Sequence, residues 1–143
     1  MRITPELVFT LKRVKNFDTR TILQITESIK EPTETLDQLY EHIISLEGRN
    51  FASIDRDTLY LMNFQAKLLL SSSEKHGIGA ITYYDASYPV GLKDCRDANG
   101  QPDPPLLLFY RGNLQALEKP GIVFVGTKNP TENGEKAARY FAK

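Results

Sequence analysis

The sequence predicts a chain of α/β class, with a small helical bundle over residues 1–76 followed by the opening part of an α/β sheet over residues 77–143. Three features carry that expectation. Up to about residue 76, helix-capping residues recur ahead of apolar residues at helical spacing. Beyond Gly77, three short apolar runs lack helical period and are bounded by Gly, Pro, Asn or Asp. The last run leads through a glycine-containing loop into a capped helical segment, the order of a strand, loop and helix unit.

The first helix is marked by Thr4-Pro5-Glu6, which supplies a cap, a first-turn proline and a first-turn acid. Leu7, Val8, Leu11 and Val14 follow on one face. A second segment begins near Asp18, sets Ile22, Ile25 and Ile29 on a stripe and stops before Pro32. In the third, Thr35 and Gln38 have the spacing of a capping box. Leu36, Leu39, Tyr40, Ile43 and Ile44 make its buried face, and Gly48 ends it. The fourth runs from about Ser53 or Asp55 to Ser71. Its apolar residues, Leu59, Met62, Phe64, Ala66, Leu68 and Leu69, cover too broad a surface for a one-sided helix, so it is expected to be the spine on which the other three pack.

Ser71 to Gly77 interrupts the helical pattern. Ile78 to Tyr83, Leu106 to Tyr110 and Ile122 to Val125 then read as three strands. Between the first two lies an irregular stretch containing Pro89, Asn99-Gly100, Pro102 and Pro104-Pro105, long enough to be functional or to wrap over the core. After the third strand, Thr131 caps a helix whose Gly134, Ala137, Ala138 and Phe141 share a face. One such unit cannot close a parallel sheet, because the next strand must return through a crossover and cover the open edge. The sequence is therefore expected to be the front part of something longer.

Composition narrows the class of function. The 143 residues are 41% hydrophobic and 25% charged, an ordinary globular balance that excludes collagen-like and wholesale disordered readings. Eighteen Lys and Arg balance eighteen Asp and Glu, so any nucleic-acid binding must be local rather than a bulk-charge effect. The single cysteine, Cys95, cannot form an internal disulfide or a multi-thiolate zinc site. The start lacks the apolar stretch of a secretory signal, and no apolar run approaches the ~18 residues of a membrane span, so a cytoplasmic location is expected.

The sharpest candidate site is the loop after Val125. A glycine ending a strand allows a tight turn, the following helix presents free N–H groups and a partial positive charge, and Lys128 adds a full one. That geometry suits a phosphate. A plain strand-to-helix turn with a solvated lysine fits the same residues, since the loop is neither a dinucleotide-binding nor a Walker sequence. If Gly126 turns with a positive φ, any side chain there strains the loop. Tyr83, Tyr84, Tyr88, Phe109 and Tyr110, with Arg111 as an additional contact, could stack on bases, although packing roles are the commoner use of such residues. His42 and His76 have no Cys or His at ligand spacing and are expected in surface or cap roles. No catalytic constellation and no metal site can be nominated.

The order of elements resembles the DNA-processing protein DprA, or Smf, family. The resemblance rests on Gly77-Ile78-Gly79-Ala80-Ile81-Thr82-Tyr83-Tyr84-Asp85 and then Tyr88-Pro89-Val90-Gly91-Leu92. Pro104-Pro105 through Tyr110-Arg111-Gly112-Asn113-Leu114 follow, and then Val123-Phe124-Val125-Gly126-Thr127-Lys128 with Thr131 and Gly134. Any one piece is weak, but the four are collinear from about residue 77 to the end. The resemblance implies a Rossmann-like core that binds single-stranded DNA, dimerises and helps load RecA in natural transformation. It further implies a small preceding helical domain of SAM-like or helix-hairpin-helix type, no catalysed reaction, no cofactor and no metal. The family's Gly-Ser/Thr-Arg loop falls on Gly126, Thr127 and Lys128, with Thr131 and Gly134 beyond it.

Two departures qualify what the resemblance implies. Lysine at 128 keeps the charge but not the planar fork of arginine, so directed phosphate contacts weaken. Where a helix-hairpin-helix module carries a glycine-rich hairpin, this chain has Lys15-Asn16-Phe17-Asp18. The dimerisation and RecA contacts of the family belong to later parts of its core. The rival reading is a Rossmann-like nucleotide-binding enzyme such as a nucleotide phosphoribohydrolase, whose glycine-rich catalytic motif with a downstream glutamate does not occur in these residues.

Overall fold

A computed structural model describes residues 3–30, 35–46, 51, 54–119 and 126–141. Among them are five helices and a two-stranded antiparallel sheet: α1 (Pro5–Arg13), α2 (Thr19–Ser28), α3 (Leu36–Ser45), α4 (Arg56–Lys75), β1 (Gly79–Thr82), β2 (Leu107–Tyr110) and α5 (Glu132–Phe141). Short 3-10 turns occupy Val90–Leu92 and Leu114–Glu118.

The first four helices start where a side chain can satisfy a free N–H. Thr4 accepts from the Leu7 N–H at 3.2 Å, Asp18 from Thr21 at 2.8 Å and Asp55 from Thr58 at 2.7 Å. Thr35 and Gln38 form the expected capping box, each side chain accepting from the other's backbone N–H at 3.2 Å. Between α1 and α2, Asn16 adopts φ +69°, so an asparagine supplies the left-handed turn for which a hairpin module uses glycine.

The core forms where α1, α2, α3 and α4 converge, around Leu7, Leu11, Ile25, Leu39, Ile43 and Leu59, each at most 1% exposed. α4 lies along α1 and touches α3 and β1, whereas α2 leans on α1. The spine role expected of α4 is thus exercised through one face: Leu59, Asn63 and Ala66 are buried, while Phe64, Leu68 and Leu69 remain exposed. Ile44, expected in the buried face of α3, is likewise exposed. The fourth helix also continues past the expected stop at Ser71, through the serines to Lys75. Three serines cost little inside a helix already propagating from Arg56 to Leu70, and the turn waits for Gly77 at φ +69°.

β1 and β2 pair in a register that sets Gly79 opposite Tyr110 and Thr82 opposite Leu107. Leu106, at the entry to β2, is 1% exposed and belongs to the same core as the helices, so apolar packing crosses residue 76 without a break. The irregular stretch joining the strands is tied down. Asp85 accepts from the Thr82 N–H and hydroxyl at 2.7 and 2.9 Å, the buried Tyr88 donates to the Pro105 carbonyl at 2.7 Å, and Arg96 bridges to Pro102. The fold among the described residues is α/β in this sense. The expected third strand, Ile122 to Val125, and the ends assigned to Pro32 and Gly48 lie outside the described residues.

Candidate nucleic-acid interface

The loop nominated from sequence is built by two short-range side-chain contacts. Thr127 Oγ1 accepts from the Asn129 N–H at 3.3 Å and shapes the turn ahead of Pro130. Thr131 Oγ1 accepts from the Gly134 N–H at 3.2 Å while its carbonyl accepts from Glu135 at 3.0 Å, which starts α5. A Cβ at Gly134 would sit 3.3 Å from Thr131 Oγ1, so glycine lets the capping hydroxyl approach closely. Thr131 and Gly134 are therefore one unit, and Thr127 reaches the same turn through Asn129. All five nominated residues, Gly126, Thr127, Lys128, Thr131 and Gly134, are exposed.

Among the described residues the left-handed glycines are Gly77, Gly100 and Gly112, and a Cβ at Gly126 would meet none of the described residues within 4 Å.

Charge around the loop is divided. Glu132 and Glu135 sit in the first turn of α5, where a carboxylate suits the helix dipole but repels a phosphate. Each is held by a cation one turn on: Lys136 Nζ lies 2.6 Å from Glu132 and an Arg139 guanidinium nitrogen 2.7 Å from Glu135. Lys128 has no carboxylate within ion-pair distance among the described residues, which leaves its charge available to a ligand. Between the loop and α5 opens a cleft of about 610 Å³, polar at Thr127 and Thr131 and apolar at Ala137, Ala138 and Phe141.

The aromatic residues are committed elsewhere. Tyr83 packs edge-on against Tyr84 and Tyr88 with centroids 5.2 and 5.7 Å apart, and Tyr84 bonds the Thr26 hydroxyl of α2. Burial pushes the Tyr84 and Tyr88 phenols above their ordinary value, as expected for rings used in packing. Phe109 stands edge-on to Phe9 of α1 at 5.5 Å. Sequence reading missed Lys93, whose Nζ lies 4.8 Å from the Tyr83 ring centroid and 5.8 Å from that of Tyr88. Its distance along the chain left no local signal. Arg111, just past β2, is exposed, and no bond joins it to the 126–134 loop among the described residues.

The histidines take local structural roles. His42 Nε2 lies 2.8 Å from the Ser28 hydroxyl, and His76 closes the end of α4 with Nδ1 2.7 Å from the Ser72 carbonyl oxygen. Among the described residues, no group of three His, Cys, Asp or Glu is placed to hold a metal ion, and no helix is long and apolar enough to cross a membrane.

Residues 79–143 match the model of the family described as DNA recombination-mediator protein A. The matched segment contains β1, β2, the 126–134 loop and α5, and over it the resemblance to the DprA/Smf family read from the sequence is shown. No curated protein and no solved structure matches the chain.

Proposed function

From the match of residues 79–143 to the DprA family, a family of DNA processing and recombination, we propose that this chain belongs to a single-stranded DNA-binding protein that assists loading of RecA-type recombinase. The division of labour follows the two parts of the sequence. Residues 77–143 carry the DNA contact, and residues 1–76 form a helical part without an assigned contact. The protein acts in the cytoplasm and catalyses no reaction.

The observation that carries this reading is the placement of Gly126, Thr127, Lys128, Thr131 and Gly134 on one exposed turn at the start of α5, inside the matched segment. Such a turn offers backbone N–H groups and one unpaired cation to a phosphate but nothing that reads base edges in a groove. Binding is therefore through the backbone, with little sequence preference. Single strands are favoured over duplex because a flexible strand can bring a phosphate to one small concave site.

Fluorescence anisotropy with labelled single-stranded and duplex oligonucleotides of one sequence tests the proposal. Tighter binding of the single strand, with affinity falling as salt rises, is the expected result. Equal affinity for the two forms would overturn it.

A further inference from the structure

Of the aromatic rings nominated for stacking, Phe109 alone stays exposed, at 45%. Its cross-strand partner in the sheet is Ala80, too small to cover it. Phe9 of α1 meets it edge-on with the centroids 5.5 Å apart, and an edge-on neighbour covers at most one face of a ring. Phe9 also carries the Arg13 guanidinium 5.8 Å from its centroid. Arg13 donates from Nε to Gln65 Oε1 of α4 at 3.2 Å and from Nη2 to the same oxygen. These bonds hold the guanidinium against a neutral amide. Among the described residues no carboxylate lies within ion-pair distance of Arg13, so its charge is positioned without being neutralised. Arg20, Arg56 and Arg139, by contrast, each have a carboxylate partner. Lys12 and Lys15, beside Arg13 in the chain, are exposed and likewise have none among the described residues.

We propose that Phe109 and Arg13, joined through Phe9, form a nucleotide site for single-stranded DNA, the ring stacking one base and the guanidinium holding an adjacent phosphate. The site rests on the single-strand reading above. It adds a contact from the helical part, bridging α1 and β2 and separate in sequence from the 126–134 turn. An exposed ring face beside an uncompensated cation matches a nucleotide, which carries a π-face and an anion in one unit. Both groups lie beside the same Phe9 ring, close enough for one base and its flanking phosphate to reach them together. Duplex DNA keeps its base faces stacked inside and offers only the phosphate, and an acidic peptide has the anion without the face. Stacking tolerates any sequence, in keeping with a protein that binds through the backbone.

Anisotropy titrations of the 143-residue chain with a labelled oligothymidylate and with an abasic oligonucleotide of the same length separate the two halves of the site. The original chain should prefer the thymidylate about tenfold, the scale of one base stacked on one ring. Phe109→Leu should erase that preference while leaving affinity for the abasic strand in place. Arg13→Gln should keep the preference, weaken binding of both strands and lower the salt slope by about one unit. Circular dichroism checks the fold of each variant, and because Arg13 is a surface residue its arm stands whatever Phe109→Leu does to the sheet. Equal affinity of the original chain for the two strands, or a salt slope unmoved by Arg13→Gln, would overturn the site. If Lys128→Ala weakens binding while Phe109→Leu and Arg13→Gln change nothing, the site falls and the single-strand reading stands. A chain that binds neither strand would overturn both.

Discussion

Tyr110 stands directly opposite Gly79 in the β1–β2 ladder, and its ring fills the space that a side chain at 79 would need. A Cβ built on Gly79 would lie 2.6 Å from the phenol oxygen. The glycine that opens the family-matched segment is thus required by a cross-strand neighbour, without any special backbone angle. Gly79→Ala should lower stability by about 1–2 kcal/mol, because the ring must swing off the strand and lose its own contacts. Adding Tyr110→Ala should remove most of that penalty, so urea unfolding of the two single variants and the pair should show strong non-additivity. Simply additive losses would refute the contact.

Asn63 joins α1 to α4 from inside the core. It is 4% exposed and donates from Nδ2 to Glu6 Oε1 at 2.9 Å and to Thr10 Oγ1 at 3.1 Å. Asn63→Ala should cost about 1–3 kcal/mol in thermal or urea unfolding, since it removes the donor from the buried Thr10 hydroxyl and from the partly exposed Glu6 carboxylate. Asn63→Asp should be worse at neutral pH, where two carboxylates face each other, and should recover partly as acid protonates one of them.

The α2 cap makes stability depend on acid. Hydrogen bonds from Thr21, side chain first and backbone second, hold the Asp18 carboxyl below its ordinary value of 3.8. A carboxylate whose value is depressed by folding contributes its full stabilisation above 3.8 and loses it as pH falls through the lower, folded value. The melting temperature should therefore drop more steeply between pH 5 and pH 2 for the original chain than for Asp18→Asn, which keeps a capping oxygen but no charge. Parallel pH profiles for the two would remove Asp18 as a source of the acid effect.

If Lys128 meets a DNA phosphate, Lys128→Ala should weaken binding about equally for all sequences and reduce the salt slope by about one unit, with the fold intact. Lys128→Arg should bind at least as well, because the guanidinium adds a second directed bond. Gly126→Ala should fold normally, given that a Cβ there would meet none of the described residues within 4 Å. Salt-dependent anisotropy titrations, each paired with circular dichroism, make the comparison. An unchanged slope for Lys128→Ala would return the lysine to the role of a solvated turn residue.

Limited proteolysis should cut first in the exposed turn from Asp97 to Gln101. The α4 backbone is helical through Lys75, and Leu106 ties β2 into the helical core, so both flanking regions resist. The division proposed at residue 76 would gain a physical boundary from early cleavage at Gly77, whereas fast cleavage between Leu59 and Leu69 would contradict the α4 packing described above.

Much of this molecule is written locally. Thr4, Asp18, Thr35 and Asp55 mark helix starts because a cap bonds an N–H only two or three residues away, and Thr131 with Gly134 is legible for the same reason. The strands near 79 and 107 show as apolar runs between turn residues, and the family resemblance, carried by short collinear motifs, needs no contacts at all. What the sequence by itself determined is therefore where elements begin, which faces are apolar, and which turn holds the candidate site.

Other properties depend on what meets what across the chain. Residues 59 to 69 are apolar on nearly every side of α4, and only the arrival of α1 and α3 on one face decides that Leu59 is buried and Phe64 exposed. Tyr83, Tyr84 and Tyr88 read from sequence as packing residues first and stacking faces second, and only the folded chain shows Thr26, Pro105 and Lys93 engaging them. Gly79 looks unremarkable in the sequence, and only the β1–β2 pairing shows that the Tyr110 ring occupies the place a side chain there would take. The physical reason is common to all three. Capping and turn energies act within about four residues, whereas burial and close approach are set by partners tens of residues away, whose positions only the folded chain supplies.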